Sequence, residues 1–303
     1  MLKRIAPSTY GDRKPWRAGA TGAAGALVRR CLVVLGIAVA VAVVVQSTPA
    51  PAGSGTTPPD APVRISGSGN ALPLVRKLAE SYALERPQAR FQVQEGTNSG
   101  GAIRGVVHRT LDVAVIDRPL TANEAEQAIE YRSFARDSVV FATNLSEPLE
   151  GLTIKQVREI YGGTLTNWQQ VGLMSAPIMV LDRDEDEPAR HYVMLPLLNG
   201  EPVLARTITL ATPRDMVDAL ASTPDALGYT SPGLLRLLKP RNVRILRLDG
   251  VGPEPPTGQG QHLTLSLIHR RDAAPSIRRF ADFILASEGR AVLEAYGYAM
   301  PLE

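Results

Sequence analysis

The chain has 303 residues, of which 44% are hydrophobic and 21% charged, a composition typical of a soluble globular protein with enough length to bury a core. Residues 1–30 hold seven of the 33 Lys and Arg residues and one of the 30 acidic residues, so the remainder carries 26 basic and 29 acidic residues. This mildly acidic remainder excludes the basic footprint of a nucleic-acid-binding protein, and we expect no nucleic-acid partner.

The basic N-terminal residues belong to a predicted targeting segment. Arg29 and Arg30 end the basic stretch, an uncharged apolar run of 15 residues (31–45) follows, and small and Pro-rich residues come next. This order is typical of a secretory signal peptide, and the run is short for a membrane span, which needs about 20 residues. The single cysteine, Cys31, lies inside the run. We predict a signal peptide or an N-terminal membrane anchor over residues 1–52. The protein is then periplasmic or extracellular, and an uncleaved segment would tether it to the inner membrane.

A linker and an alternating α/β pattern follow. Residues 53–62 are rich in Gly, Thr and Pro, which predicts a flexible linker. From residue 63 onward, short β-like runs alternate with helical patterns, which predicts an α/β protein with crossover helices. Strands over 63–65 and 91–93 each lead through a small polar turn into an amphipathic helix. The two turns contain Ser68, Gly69 and Asn70, and then Asn98, Ser99 and Gly100.

Later segments repeat this pattern. A third strand over 111–116 ends at Asp117 and Arg118, and a strand over 138–142 precedes a helix that Thr153 caps. That helix is expected to direct four apolar residues inward: Ile154, Val157, Ile160 and Tyr161. The other predicted elements are a strand over 178–181 followed by an acidic run at 182–187, a helix over 216–220, a strand over 262–268, and helices over 277–285 and 292–296.

The polar turns are the candidate binding features. A turn before a helix presents backbone N–H groups where the helix dipole favours an anion, and glycine lets a ligand approach the backbone closely. Such turns are also ordinary helix caps, but their recurrence after successive strands favours a shared ligand cleft. The first turn lacks the third glycine of a dinucleotide-binding fingerprint.

Catalytic motifs do not occur in the sequence. The four histidines have no zinc-ligand spacing, and neither a nucleophile elbow nor a Walker loop is present, so each His is expected at the surface or at a helix cap. The acidic run at 182–187 lacks the rhythm of a calcium loop, which favours a solvated loop. We predict a non-enzymatic protein with no cofactor and no metal. A metal-dependent hydrolase that uses the acidic run is the enzyme alternative.

In this order the segments resemble the phosphate-binding proteins of bacterial ABC importers, members of the type II periplasmic-binding superfamily. The resemblance covers residues 63–302. Two segments resemble the binding loops of the family, residues 67–73 and 97–101. Residues 111–121 resemble its D-I-G-x-S-x-R-P-L segment, and residues 152–168 resemble its block from L-T-x-x-Q to I-T-N-W. Residues 227–231 resemble its G-I-G-Y-V strand, and residues 280–297 resemble its two closing helices. The resemblance implies a two-lobed α/β fold of the periplasmic-binding-protein type with the ligand in the cleft. The first lobe would hold 63–138 and 243–303, and the second 139–242.

The resemblance also implies roles for single residues. Ser99 would donate to a bound oxyanion, Asp117 would accept a hydrogen bond from a protonated ligand, and Arg183 would supply charge from the second lobe. The full set of ligand-binding candidates is Ser68, Gly69, Asn70, Asn98, Ser99, Gly100, Asp117, Arg118 and Arg183. The chain departs from the pattern after Arg183, where Glu187-Pro188-Ala189 replaces Ser-Gly-Thr. This exchange removes two hydroxyls and an N–H and adds a carboxylate, so we expect weakened phosphate binding.

Together these features predict a monomeric, exported solute-binding protein. It would capture a small anion, phosphate or a related one, through an altered second-lobe site and deliver it to the permease of an ABC importer. The alternative function is that of a membrane-tethered sensor or accessory protein with a degenerate binding site.

Overall fold

Two five-stranded β-sheets organise the described part of the chain, and a small parallel sheet pairs Gly151–Leu152 with Arg247–Leu248. The structure is a computed structural model, and it describes residues 61–95, 97–199, 201–252 and 262–301. The predicted signal peptide or anchor (1–52) lies outside these residues, as do residues 53–60 of the predicted linker. Within the described ranges, no helix combines the length and the apolar character needed to cross a membrane.

The elements follow the predicted alternation. The strands are β1 (Val63–Gly67), β2 (Phe91–Val93), β3 (Val113–Ile116), β4 (Ile129–Ser138), β5 (Val140–Thr143), β6 (Gly151–Leu152), β7 (Met179–Arg183), β8 (Thr207–Leu210), β9 (Ala226–Thr230), β10 (Arg244–Ile245), β11 (Arg247–Leu248) and β12 (His262–Arg270). The helices are α1 (Leu72–Glu85), α2 (Ser99–Val107), α3 (Ala122–Ala125), α4 (Ile154–Tyr161), α5 (Pro188–Leu198), α6 (Pro213–Ser222), α7 (Pro232–Leu238), α8 (Pro275–Leu285) and α9 (Ser287–Ala295), with a 3-10 turn at Trp168–Val171.

The first sheet has the strand order β2-β1-β3-β12-β4. β1 is parallel to β2 and β3, whereas β12 is antiparallel to β3 and β4. Gly67 at the end of β1 pairs with Val115 near the end of β3. Because parallel neighbours end at the same edge of a sheet, Ser68 and Asp117, which follow these strands, lie at that edge.

The second sheet has the strand order β10-β5-β9-β7-β8. β7 is parallel to β8 and β9, and β5 is antiparallel to β9 and β10. The last residues of β7 and β8, Arg183 and Leu210, pair with each other. Helices α5 and α6, which follow these strands, therefore begin at one edge of this sheet.

The apolar faces of the helices form much of the core. The apolar stripe of the predicted amphipathic helix α1 is buried: Leu74, Val75, Leu78, Ala79 and Tyr82. Tyr82 contacts Phe280 and Phe283 of α8 edge-on, which joins α1 to the C-terminal helices. In α4, Ile154 is the first helical residue and is 38% exposed, so the prediction that it faces inward is wrong.

Very little sequence separates the two sheets where the chain first crosses between them. A single residue, Val139, separates β4 of the first sheet from β5 of the second. We call the first sheet with α1, α2, α8 and α9 the first lobe, and the second sheet with α4, α5 and α6 the second lobe. Arg244–Ile245 pairs with β5, so the second sheet extends beyond the predicted lobe boundary at residue 242.

One histidine is placed differently from the sequence-based expectation. His269 on β12 is completely buried, although it was predicted to lie at the surface or at a cap. β12 lies between β3 and β4, and a strand inside a sheet is covered on both faces when helices pack there. His269 Nε2 is 3.8 Å from Glu130 Oε2 of β4.

Candidate functional site

The N-terminal ends of four helices line one cavity. Its volume is about 720 Å3, and residues of both lobes contribute to its wall. The helix-end residues that line it are Leu72 and Pro73 of α1, Ser99 and Gly100 of α2, Glu187 and Pro188 at α5, and Thr212 and Pro213 at α6. Converging helix N-termini bring backbone N–H groups and positive dipole ends to one place, which favours a negatively charged ligand group.

The first polar turn brings the backbone of the first lobe close to the second lobe. Gly67 has φ +154°, and a Cβ there would lie 1.8 Å from the carbonyl oxygen of Val115, so the turn requires glycine. The Ser68 amide donates to that same oxygen at 2.8 Å. A Cβ on Gly69 would lie 2.8 Å from Pro213 Cδ at the start of α6. The two lobes therefore touch at this edge of the cavity.

Asp117 is the central carboxylate of the first-lobe half. It follows β3, is only 2% exposed and lines the cavity. Asn70 Nδ2 donates to its Oδ2 at 2.7 Å, and Ser99 Oγ donates to its Oδ1 at 2.9 Å. Asn70 does not line the cavity, so it positions Asp117 from behind. Since the Ser99 proton points to Asp117, the donor that Ser99 leaves for a ligand is its backbone N–H.

The start of α2 presents free amides to the cavity. Asn98 caps the helix by accepting from the Gly101 amide at 2.8 Å. The Ser99 and Gly100 amides are the first two of the helix and have no intrahelical acceptor. A Cβ on Gly100 would lie 3.5 Å from both Arg104 Nη1 and Arg118 Nη2, so two guanidinium groups stand beside these amides.

The two arginines differ in how their charge is matched. Arg118 binds Glu124 through both guanidinium nitrogens at 2.8 Å, and this interaction lowers the pKa of Glu124 to about 2. Arg104 is exposed and forms no ion pair with any described residue. Arg104 was not among the predicted site residues, although its place one turn after Gly100 on α2 could have indicated it.

Arg183 is buried behind the cavity and does not line it. It is 3% exposed, and its guanidinium donates to the carbonyl oxygens of Leu210 at 2.9 Å and Ala211 at 3.3 Å. Arg183 Nη2 lies 2.7 Å from Glu187 Oε1. The predicted source of second-lobe charge is therefore already paired with the chain's own carboxylate, because the turn between β7 and α5 brings Glu187 back to Arg183.

Glu187 takes the position between Arg183 and the cavity. It precedes the first residue of α5 without capping it, and no described residue hydrogen-bonds to its buried Oε2. Burial raises the pKa of Glu187 to about 7, and the negative charges of Asp117 and Asp184 act in the same direction. The Arg183 charge opposes this rise but does not cancel it. Near neutral pH the carboxyl is thus divided between its acid and its anion.

The start of α6 also lines the cavity, although none of its residues was among the predicted site residues. Thr212 and Asp215 form a capping box, with the Asp215 amide donating to Thr212 Oγ1 at 3.1 Å and the Thr212 amide donating to Asp215 Oδ2 at 2.9 Å. A Thr-Pro pair followed by an acid is a recognised signature of a helix start. The pattern was therefore readable, but nothing in it showed that this helix start faces the cleft.

The acidic run is not a uniformly solvated loop. Asp182 is 4% exposed at the end of β7, where Tyr229 Oη donates to it at 2.7 Å and Arg190 Nε at 3.1 Å. Asp184 and Asp186 are exposed and line the cavity. The solvated-loop prediction is therefore wrong for Asp182. Among the described residues, no group of three or more His, Cys, Asp and Glu side chains is placed to hold a metal ion.

Comparison with known proteins places this arrangement in a family. A sequence model of the PBP superfamily domain matches residues 50–288. The chain belongs to this superfamily. The predicted resemblance to phosphate-binding proteins and the predicted two-lobed α/β fold are both confirmed.

Three similar proteins describe the relationship. The phosphate-binding protein PstS of Borreliella burgdorferi is 23% identical over 248 residues, which is 78% of this chain and 88% of that protein. PstS of Bacillus subtilis is 26% identical over 244 residues, 77% of this chain and 79% of that protein. A crystal structure of a substrate-binding protein assigned to phosphate ABC transport in Clostridium perfringens, with phosphate bound, has 21% identity and a TM-score of 0.66. The structural match covers 80% of this chain and 100% of the Clostridium perfringens chain, and it shows that the two share a fold.

Proposed function

We propose that this protein is an exported solute-binding protein that captures a small oxyanion, phosphate or a related anion, for an ABC importer. The observation that carries the proposal is the first-lobe half of the cleft, where the free amides of Ser99 and Gly100 stand beside Asp117. Similar proteins named for phosphate binding support it. The basic and apolar N-terminal segment supports export.

Binding would need no chemical step. The amides at the start of α2 would donate to the oxyanion, and the helix dipole would favour its charge. Asp117 would accept a hydrogen bond from a protonated ligand oxygen and repel a fully ionised one. The lobes already touch between Gly69 and Pro213, so a ligand bound between them would stabilise this closed arrangement.

We further propose that the second-lobe half of the site is altered. Arg183 lies 2.7 Å from Glu187 rather than at the cavity surface, and the carboxyl of Glu187 faces the position of the ligand. A carboxylate about 5 Å from a bound oxyanion would cost on the order of 3 kcal/mol at an effective dielectric constant of about 20. The affinity for inorganic phosphate should therefore be weaker than micromolar.

Calorimetric titration of the purified protein with inorganic phosphate tests both proposals. Weak, saturable binding that Gly100→Asp abolishes would support them, because this change puts a negative charge beside the free amides. Gly172→Asp, a substitution at a glycine with no neighbour within 4 Å of its Cβ position, is the control. Micromolar or tighter phosphate binding would refute the altered second-lobe site. No binding of phosphate, sulfate or a phosphate ester at millimolar concentration would refute the oxyanion-binding function.

A second candidate is a membrane-tethered sensor or accessory protein with a degenerate site. The observation that favours it is the Arg183–Glu187 pair, which lets the second lobe satisfy its own charge without a ligand. Mass spectrometry of the mature protein from its native envelope distinguishes the two candidates. An N-terminus near residue 53 supports a released carrier, and retention of residues 1–52 supports the tethered protein.

A further inference from the structure

The cleft is larger than inorganic phosphate requires. Its volume of about 720 Å3 lies within the range of roughly 300–1,000 Å3 that proteins use for small organic ligands. Since a water molecule takes about 30 Å3 of liquid volume, such a space holds on the order of twenty waters. A single tetrahedral oxyanion displaces only a few of them. Room therefore remains for a ligand that carries a second chemical group.

The first-lobe wall of the cleft contains one guanidinium group, that of Arg104, without an ion-pair partner among the described residues. It stands beside the free amides of Ser99 and Gly100. Two first-lobe carboxylates also line the cavity, and both have partners within the lobe: Glu95 lies 3.1 Å from Arg76, and Asp117 accepts hydrogen bonds from Asn70 and Ser99. This wall suits the oxyanion end of a ligand.

The second-lobe wall carries unmatched negative charge. Asp184 and Asp186 both line the cavity, and neither forms an ion pair with a described residue. Arg214, a second-lobe cation that also lines the cavity, lies 3.5 Å from Asp218 on its own helix. Inorganic phosphate bound at the start of α2 would leave the two aspartates unmatched. A primary ammonium group, with three donors and one positive charge, would match them.

We propose that the ligand is a small zwitterion, with a phosphoryl oxyanion at one end and a primary ammonium group at the other. The oxyanion lies at the start of α2 beside Arg104, and the ammonium group lies between Asp184 and Asp186. This inference rests on the proposed oxyanion-binding function and names the ligand class of the same site. Aminoalkyl phosphates and aminoalkyl phosphonates are the simplest members of this class.

Calorimetric titration of the full-length protein with five probes tests the inference. Phosphoethanolamine and ethyl phosphate share a phosphate ester and differ in the ammonium group. 2-Aminoethylphosphonate tests whether the ester oxygen matters, β-alanine replaces the phosphoryl group with a carboxylate, and inorganic phosphate lacks the organic part. We expect phosphoethanolamine and 2-aminoethylphosphonate to bind at least tenfold more tightly than the other three.

Variants then locate each end of the ligand. Asp184→Asn combined with Asp186→Asn should remove the tenfold preference for phosphoethanolamine over ethyl phosphate while ethyl phosphate binding is kept or improved. Arg104→Gln should weaken both phosphate esters by a similar factor. The matched control is Glu201→Gln, which neutralises an exposed second-lobe carboxylate outside the cavity and should change neither affinity.

The failures of the two proposals are distinguishable. Equal affinity for phosphoethanolamine and ethyl phosphate, or tighter binding of inorganic phosphate, would overturn the zwitterion and leave the oxyanion-binding function standing. Tighter binding of β-alanine than of phosphoethanolamine would overturn the phosphoryl end. Binding of none of the five probes would overturn the oxyanion-binding function itself.

Discussion

Arg183 and Glu187 form an ion pair of 2.7 Å at the start of α5, with the arginine buried and the carboxylate toward the cleft. The pair explains how this chain keeps a buried guanidinium in the second lobe without a ligand. It also places the charge state of Glu187 in direct competition with any anion that enters.

Glu187→Gln should strengthen oxyanion binding above neutral pH. Burial raises the pKa of Glu187 to about 7, so the wild-type side chain is mostly neutral at pH 6 and mostly charged at pH 8. Oxyanion affinity of the wild type should therefore fall across this interval by about tenfold more than that of the variant, allowing for solvent screening. Because the ligand also titrates here, the comparison is between the two proteins at each pH, by calorimetry. Parallel pH profiles would contradict the prediction.

Restoring the hydroxyl-bearing helix start should also raise phosphate affinity. The triple variant Glu187→Ser, Pro188→Gly and Ala189→Thr removes the carboxylate that pairs with Arg183 and returns two hydroxyls and one amide. We expect at least a tenfold gain in calorimetric titration. Ala189→Thr alone is the control, since it adds a hydroxyl and leaves the ion pair in place. A triple variant no tighter than this control would show that the segment does not contact the ligand.

Asp137 should make the protein less stable as pH rises. It is 2% exposed, and burial raises its pKa to about 7 from an ordinary value of 3.8. The unfolded chain thus releases this proton at lower pH than the folded chain, so the free energy of unfolding falls between about pH 4 and pH 7. The free energy of unfolding, measured by urea denaturation, should therefore be lower at pH 8 than at pH 5. In Asp137→Asn this difference should be smaller than in the wild type by on the order of a few kcal/mol.

A control separates this effect from that of the other buried carboxyl. Glu187→Gln should also reduce the decrease in the free energy of unfolding between pH 5 and pH 8, because the pKa of Glu187 is raised in the same direction. Its effect should be smaller than that of Asp137→Asn. If Asp137→Asn leaves the difference in stability between pH 5 and pH 8 unchanged, the assignment to Asp137 fails.

Gly67→Ala should destabilise the fold strongly. Its Cβ would lie 1.8 Å from the Val115 carbonyl oxygen at φ +154°, so β1 and β3 would have to separate. We expect a loss of more than about 3 kcal/mol in the free energy of unfolding. Gly172→Ala is the matched control, because Gly172 has φ +93° and nothing within 4 Å of its Cβ position, and should cost about 1 kcal/mol. If Gly67→Ala and Gly172→Ala lose similar amounts of free energy of unfolding, the positive φ angle and not the contact with Val115 would account for the loss.

Several parts of the fold were readable from the sequence because they depend on local patterns. The apolar stripe of α1 predicted its buried residues, and Thr153 with Gln156 formed the cap expected at α4. β4 was missed because Arg136 and Asp137, buried here at 5% and 2% exposure, are residue types expected at the surface. Their burial depends on contacts with residues far along the chain, such as Met300 for Arg136.

In the candidate site, too, some features follow from local sequence patterns and others depend on the folded structure. Asp117 and Ser99 could be placed together because parallel strands bring their carboxyl ends to one edge. The role of Arg183 could not, because its pairing with Glu187 depends on the conformation of the four-residue turn that precedes α5. Arg104 and Thr212 were missed because exposed arginines and capped helix starts are common, and only the assembled lobes show which of them face a cavity.

The single residue between β4 and β5 limits how the protein can open. One extended residue spans only about 3.5 Å, so Ser138 and Val140 stay near neighbours whatever the rest of the molecule does. The sheets cannot slide apart at this point, so a separation of Gly69 from Pro213 requires the sheets to turn relative to each other here. Val139 is therefore one of the points about which the two sheets would have to turn when the cleft opens.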